Sequence, residues 1–395
     1  MNQVFEETEL AGIRLKNRII RSATFEGMGD ESGRPTDKLS RLYVRLAEGG
    51  VGAIITGGTI VQQNGRPLPR SLMIDSDGFL DAFREMISPV KALGTPIIAQ
   101  LEHAGGLADR ATTGTEAVGP SKKKYPSWST EARELRGSEI QEIIEAFVNA
   151  IQRAKRVGFD GVQLHAAHGY LLSAFLSPRV NKRKDKWGGS TENRFRIIRE
   201  IVQGARQTVG DYPILAKFSA YDGDKGGVSA EEGIRIAELM ETAGIDAVET
   251  SCGSGDDGFN SIRVPKVPVE ALLRFMPAFR NSSALVRTFY KALLPLFTKK
   301  WSPLHNFNIQ TAHEIKKRVK IPVIAVGGIR DINQIRSVVA EGKADYVSMS
   351  RPFIREPDIV KKFFAETQEQ SKCIDCGYCL FGLYDASLRC YQGKL

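Results

Sequence analysis

Residues 159–181 read FDGVQLHAAHGYLLSAFLSPRVN, and their sense decides what kind of sheet the chain builds. Val162, Gln163 and Leu164 continue a short apolar run of the kind that makes a buried strand. The run stops at His165, and a glycine-containing segment with His168, Gly169 and Tyr170 follows. Three side chains suited to hold or move a proton near neutral pH thus fall within six positions, just past a strand's carboxyl end. Parallel βα architectures place their chemistry at that end. Taken alone, His-x-x-His is a structural or metal-binding pair about as often as a catalytic one, so the flanking sequence has to decide.

Working outward, βα units recur. Upstream, 18–23 (RIIRSA), 53–56 (AIIT) and 96–101 (PIIAQL) read as strands, with helices over 37–48, 80–92 and 138–157. The last helix opens with Ser138 three residues before Gln141, a capping-box spacing, and its Ile140, Ile143, Ile144, Phe147 and Ile151 keep helical period. Between them, 104–136 has the Gly, Ser and Thr content of a long functional loop. Downstream, a helix over 192–209 precedes strand 214–219, and Ser229 opens another helix with Glu232 at the capping-box position. Strands follow at 247–250, 323–326 and 346–348, with a helix over 331–341 and a closing one from Asp358. Eight short apolar strands, each followed by a helical segment, predict an α/β fold of the TIM (β/α)8 barrel type rather than an open sheet. The barrel is expected over 1–365 and a Cys-rich tail over 366–395. An insertion between the sixth and seventh strands, 253–306, turns basic and aromatic (RFMPAFRNSSALVRTFYKALLPLFTKKW). It is broken by Pro277 and Pro295, so a lid or partner surface is expected there rather than a membrane-surface helix.

Composition sets bounds. With 395 residues, 42% hydrophobic and 26% charged, the chain has ordinary globular content and room for a barrel with insertions. No apolar run approaches the roughly 18 residues of a membrane span. The amino-terminal MNQVFEETEL lacks a basic start and apolar stretch, so a cytoplasmic protein is expected. The net charge of +9 is dispersed and comes with no nucleic-acid module, so no nucleic-acid partner is expected. Attraction of phosphorylated cofactors accounts for the basic charge equally well. The seventh strand runs into Gly327-Gly328 and the eighth into Ser350-Arg351-Pro352, the two places where such barrels commonly bind phosphate. Glycine lets backbone N–H groups approach the oxygens, and Arg351 adds a planar donor fork.

Several segments in order resemble the Old Yellow Enzyme family of FMN-dependent oxidoreductases. They are LKNRIIRSA (15–23), GGVGAIITGGT (49–59), IIAQLEHAG (97–105), GFDGVQLHAAHGYLLSAFLSPRVNKR (158–183), GGSTENR (188–194) and PVIAVGGI (322–329). The resemblance implies FMN across the barrel mouth, reduced by NAD(P)H, with hydride passed to an electron-poor C=C of an enone- or enoate-type substrate. It further implies that Gln100 bonds the flavin pyrimidine edge and that Lys217, where the family often has Arg, lies near N1–C2=O. His165 and His168 would hold the substrate oxygen and Tyr170 would deliver the proton. Gly327, Gly328, Ser350 and Arg351 fall at the family's phosphate site. Ser22, Ala23 and Thr24 match its turn after the first strand, and no small polar side chain stands where Cys or Thr usually tunes the potential. Gly57-Gly58 is expected to leave room at the flavin where other members carry larger residues.

Of the five cysteines, Cys252 reads as a buried thiol. Cys373, Cys376, Cys379 and Cys390 form C-x2-C-x2-C-x10-C. Two disulfides are not expected in a cytoplasmic chain. The spacing suits an iron–sulfur or zinc centre, or free thiols, and it resembles the [4Fe–4S] segment of the trimethylamine dehydrogenase and dienoyl-CoA reductase branch. That branch's further flavin and nucleotide domains are not expected here. Two function classes stay open: an ene-reductase fed by NAD(P)H, and an amine demethylase or dehydrogenase passing electrons through a cluster to a redox carrier protein. Self-association into a homo-oligomer is also left open.

Overall fold

Short runs of β-branched and aliphatic residues lie side by side and close on themselves. In the computed structural model, eight parallel strands form a barrel. They are β1 (Ile19–Arg21), β2 (Ala53–Ile55), β3 (Ile97–Glu102), β4 (Gly161–Ala166), β5 (Ile214–Ser219), β6 (Ala247–Ser251), β7 (Val323–Val326) and β8 (Tyr346–Met349). Closure comes where Ser348 of β8 pairs with Ile20 of β1, and Gln163 of β4 pairs with Gln100 of β3. The structure describes residues 3–255, 261–266, 268–276, 279, 282–294, 302–384 and 388–393.

Helices α1 (Asp37–Glu48), α2 (Leu80–Ala92), α3 (Gly137–Val157), α4 (Thr191–Val209), α5 (Ala230–Ala243), α6 (Ile309–Lys316), α7 (Ile332–Ala340) and α8 (Ile359–Phe364) surround the strands. Each turns an apolar stripe inward; on α3 it comprises Ile140, Ile143, Ile144, Phe147 and Ile151. The start of α3 differs from the capping box expected at Ser138. The helix begins at Gly137, and the Glu139 carboxylate accepts from the Arg136 N–H at 2.8 Å. Arg133 competes for that carboxylate at 2.7 Å and holds it down to about 2, so Glu139 is anionic where the helix dipole favours it. Ser229 does cap α5, accepting from the Glu232 N–H.

Inside the barrel the inward positions follow a gradient. At the amino-terminal ends they are apolar: Ile20, Ile98, Leu215, Ala247 and Tyr346, closed from below by Leu10, Ile13 and Leu15 of the hairpin Thr8–Leu10 and Ile13–Leu15. Two residues further along, the same faces carry Ser22, Gln100, Lys217, Glu249 and Ser348. Period-two alternation keeps each such pair on one face, so these five strands pass from apolar to polar inward positions toward their carboxyl ends. Truncating Leu215 to alanine in that floor costs about 2–5 kcal/mol.

The stretch 104–136 is more ordered than the expected loop. It holds a three-stranded sheet of Val118–Gly119, Thr130–Glu134 and Lys123–Tyr125 over a small core with Ala104, Leu107, Tyr125 and Ala132. Its strands are short and mostly polar outward, so no apolar run announces them. Of the expected insertion 253–306, helices Val269–Phe275 and Ala284–Leu293 are described. Pro277 and Pro295 lie outside the described residues. Ala271 and Phe275 of the insertion pack against Phe381 and Tyr391 of the tail, so the two segments share a core. Among the described residues, no helix is long and apolar enough to cross a membrane.

Candidate active site

A cavity of about 490 Å³ opens at the carboxyl ends of the strands. Ser22, Ala23, Thr24, Gly58, Gln100, His165, His168, Tyr170, Lys217, Gly327, Gly328, Ser350 and Arg351 all line it. Every residue singled out for catalysis or cofactor contact therefore meets in one space.

His165 lies on β4, in register with Lys217 on β5. Its ring centroid is 5.2 Å from that of His168 and 4.8 Å from that of Tyr170. The turn after β4 is what brings them together. His168 has φ 62° and Gly169 φ 78°, and a Cβ on Gly169 would stand 2.2 Å from the Gly255 nitrogen. The chain doubles back there only because glycine occupies that position. His168 is anchored by its N–H to Ser219 Oγ at 3.1 Å and by Nε2 to Ser251 Oγ at 2.8 Å. His165 Nδ1 is buried without a hydrogen-bond partner among the described residues. Burial holds both imidazoles neutral, His168 down to about 3 and His165 well below its ordinary range, with the Lys217 cation adding to the effect. Each ring thus offers a neutral N–H rather than a fixed cation.

At the floor, Gln100 Nε2 donates to Gln163 Oε1 at 2.8 Å, and Lys217 Nζ donates to Ser22 Oγ at 2.8 Å. Thr24 Oγ1 and Ser350 Oγ are 2.7 Å apart. At the far end, Arg351 Nη1 stands 3.2 Å from Asp375 Oδ1, and Arg330 Nη1 stands 2.7 Å from Asp375 Oδ2. Arg330 Nε is buried without a partner among the described residues, beside Gly327 and Gly328. Sequence reading missed Arg330, although its place two residues past the double glycine was a signal. Nothing in the sequence marked Asp375, which only the folded tail brings back to these arginines.

Glu102 was also missed. It follows Gln100 by two on β3, so period-two alternation already pointed it into the barrel. A Cβ on Gly58 would lie 2.1 Å from its Oε2, so the room expected beside Gly57-Gly58 is taken: Glu102 fills the space over Gly58 and Glu26 that over Gly57. Burial pushes the Glu102 carboxyl up to about 8. Its Oε2 is 3.9 Å from His165 Nε2, but with both groups neutral this is a polar contact rather than an ion pair.

Cys373 and Cys379 line the main cavity, and all four tail cysteines line an adjoining one of about 20 Å³ with Arg351 and Arg355. All are free thiols. Burial pushes Cys379 up to about 12, and Cys373, Cys376 and Cys390 push it in the same direction. Among the described residues, no three His, Cys, Asp or Glu side chains converge closely enough to hold a single metal ion, contrary to what zinc binding would require. Cys252 is fully buried, as expected.

Comparison with known proteins settles the lineage. A profile of the NADH:flavin oxidoreductase / NADH oxidase family matches residues 3–255 and 289–370. The chain belongs to that family. NADH oxidase of Thermoanaerobacter brockii is 35% identical over 98% of this chain, which spans 54% of that protein. The chain thus covers about half the length of this curated relative. NADPH dehydrogenase of Clostridium acetobutylicum is 32% identical over 91% of this chain and 93% of its own length. Among solved structures, a 2-naphthoyl-CoA reductase complexed with 2-naphthoyl-CoA superposes with a TM-score of 0.82 at 26% identity, covering 98% of this chain and 56% of that one. Family membership brings FMN and a nicotinamide nucleotide as cofactors. The cavity's donor set fits FMN: an acceptor-and-donor floor at one end, and at the other two arginines with an unpartnered buried N–H.

Proposed function

We propose that the chain is an FMN-dependent oxidoreductase that takes reducing equivalents from NAD(P)H and reduces an electron-poor C=C conjugated to a carbonyl. The observation that carries this reading is the convergence of neutral His165, neutral His168 and Tyr170 on one cavity wall. Bound FMN supplies the hydride chemistry, and Gln100, Lys217 and Ser22–Thr24 hold its ring end while Gly327, Gly328, Arg330, Ser350 and Arg351 hold its phosphate. Negative charge gathers on the substrate oxygen as the C=C accepts hydride, and the two imidazole N–H groups stabilise it there. Neutral rings serve this role without a competing proton transfer. Tyr170, beside His165, gives its phenolic proton to the carbon opposite the one that receives hydride. The solved relative that carries 2-naphthoyl-CoA holds a conjugated carbonyl too, an aromatic acyl thioester.

A second feature supports an electron outlet. The reading that the four tail thiols hold a [4Fe–4S] cluster rests on their C-x2-C-x2-C-x10-C spacing and on their lining one small cavity next to the main one. A barrel over 1–365 and a tail over 366–395 would then be the two working parts, with a redox carrier protein as partner. In that arrangement an amine-oxidising activity is the second reading.

The deciding experiment begins with flavin. Heat release and chromatography of the purified protein should yield FMN and no FAD. Under anaerobic conditions NADH or NADPH should bleach the flavin absorbance, and 2-cyclohexenone should restore it. Bleaching by an amine donor, with no reoxidation by any enone or enoate, would favour the second reading.

A further inference from the structure

Behind the side chains that line the floor of the cavity lies a carboxylate that the functional reading above does not use. Glu249 lies at the middle of β6 and is fully buried. Its Oε1 accepts from Ser22 Oγ at 2.8 Å and from Ser348 Oγ at 2.6 Å. Its Oε2 accepts from Gln163 Nε2 at 2.8 Å and stands 3.3 Å from Lys217 Nζ. Register explains the ion pair, since Lys217 and Glu249 are direct cross-strand partners on β5 and β6. A buried carboxylate with four satisfied contacts is tolerated; the same carboxylate without Lys217 would be an unpaired buried charge.

We propose that Glu249 is a positioning residue for the FMN floor, setting which face of the Gln100 amide meets the cofactor and balancing the charge of Lys217. The proposal rests on the reading that FMN binds over this floor. An ionised carboxylate only accepts hydrogen bonds. Gln163 must therefore turn its NH2 toward Glu249, which leaves its Oε1 facing β3. That oxygen takes the Gln100 Nε2 at 2.8 Å. Gln100 keeps its Oε1 and the second hydrogen of its NH2, an acceptor and a donor matched to the N–H and C=O of an imide such as the flavin pyrimidine carries. Through two amides, one anion thus fixes the hydrogen-bond polarity of the cavity floor. The same anion offsets Lys217. Alone, a lysine cation under the N1–C2=O edge favours the more negative, reduced form of the cofactor; beside Glu249, much of that preference is cancelled.

The test is the midpoint potential of bound FMN, read by anaerobic spectroscopic titration against reference dyes. Glu249→Gln should move it to a more positive value, because Lys217 is then uncompensated. Lys217→Met should move it the other way. Lys217→Met/Glu249→Gln should return close to the wild type, and this pair of neutral side chains leaves no unpaired buried charge that would threaten folding. Should either single variant fail to fold, the effect of Glu249 is still read from the remaining pair, wild type with Glu249→Gln or Lys217→Met with the double variant. Equal potentials in Lys217→Met and the double variant, or a Glu249→Gln potential unmoved at full FMN occupancy, would overturn the proposal. A purely structural role for Glu249 would change stability without shifts of opposite sign that cancel. Wild-type protein that binds no FMN would instead remove the underlying functional reading, and this one with it.

Discussion

Glu102 Oε2 and His165 Nε2 stand 3.9 Å apart in the cavity wall, and each group is neutral for the same reason. Burial penalises whichever form carries charge, raising an acid and lowering a base. For Glu102 this has a stability consequence whose sign is fixed. The folded chain keeps a proton up to about pH 8 that the unfolded chain releases near the ordinary carboxyl value of 4.5. Stability from this group is therefore full below that ordinary value and is lost as pH rises toward 8, by at most about 1.4 kcal/mol per pH unit. Urea unfolding of flavin-free protein at pH 5.5 and 7.5 should show Glu102→Gln gaining on the wild type at the higher pH. A difference independent of pH would mean that the carboxyl is not buried in its neutral form. The histidines make a kinetic prediction. Replacing His165 or His168 by alanine should slow stopped-flow reoxidation by cyclohexenone about 10²–10³-fold, the usual loss for one donor to a developing oxyanion. Reduction by the nicotinamide should change much less. Tyr170→Phe should slow reoxidation while ligand binding persists.

At the scale of the element, the turn from β4 into the helix Leu171–Leu176 sets the geometry of all three groups. Its path needs a positive φ at His168 and again at Gly169, and it runs against the backbone at Gly255. Trp128, in the turn between two strands of the small three-stranded sheet, donates to the Gly255 carbonyl at 3.1 Å, so the excursion over 104–136 braces the same loop from outside. Gly169→Ala would strain the turn by roughly 1–3 kcal/mol and displace the Gly255 segment. The expected result is a barrel with unchanged far-UV circular dichroism and near wild-type flavin content, but with cyclohexenone turnover reduced at least about tenfold, since small misplacements of reacting groups are costly. Full turnover would show that the loop relaxes without moving His168 or Tyr170.

Across the whole molecule, the tail and the insertion close over the mouth of the barrel. Leu388 donates its N–H to the Glu26 carbonyl at 2.8 Å, and Asp375 ties the segment between the first two tail cysteines to Arg330, Arg351 and His305. A cysteine-borne centre would therefore stand next to the phosphate end of the cofactor site. Iron and sulfide are expected in anaerobically prepared protein, with zinc absent, and both should fall in a Cys376→Ser variant. Four titratable thiols with neither metal above a tenth of the protein concentration would leave a tail held by Asp375, by hydrogen bonds such as Leu388 to Glu26, and by its apolar contacts.

Much of this architecture is local in origin and so could be read along the chain. A buried parallel strand needs only an apolar run of a few residues, and a helix only its period and its ends. The alternation of such segments determined the barrel, and the end of β4, carrying His165 and running on to His168 and Tyr170, pointed to the candidate site. The glycines and arginine after β7 and β8 were legible for the same reason, since strand ends in a barrel share one face. Other features depend on which strands become neighbours. Lys217 and Glu249 lie 32 positions apart, and only barrel register makes them partners. Glu102 becomes a neutral acid because Gly58 and His165 enclose it, and Asp375 meets Arg330 and Arg351 only after the tail folds back. Charge balance and proton affinity in the site arise from desolvation and from contacts across the barrel, and neither is a property of any one segment of sequence.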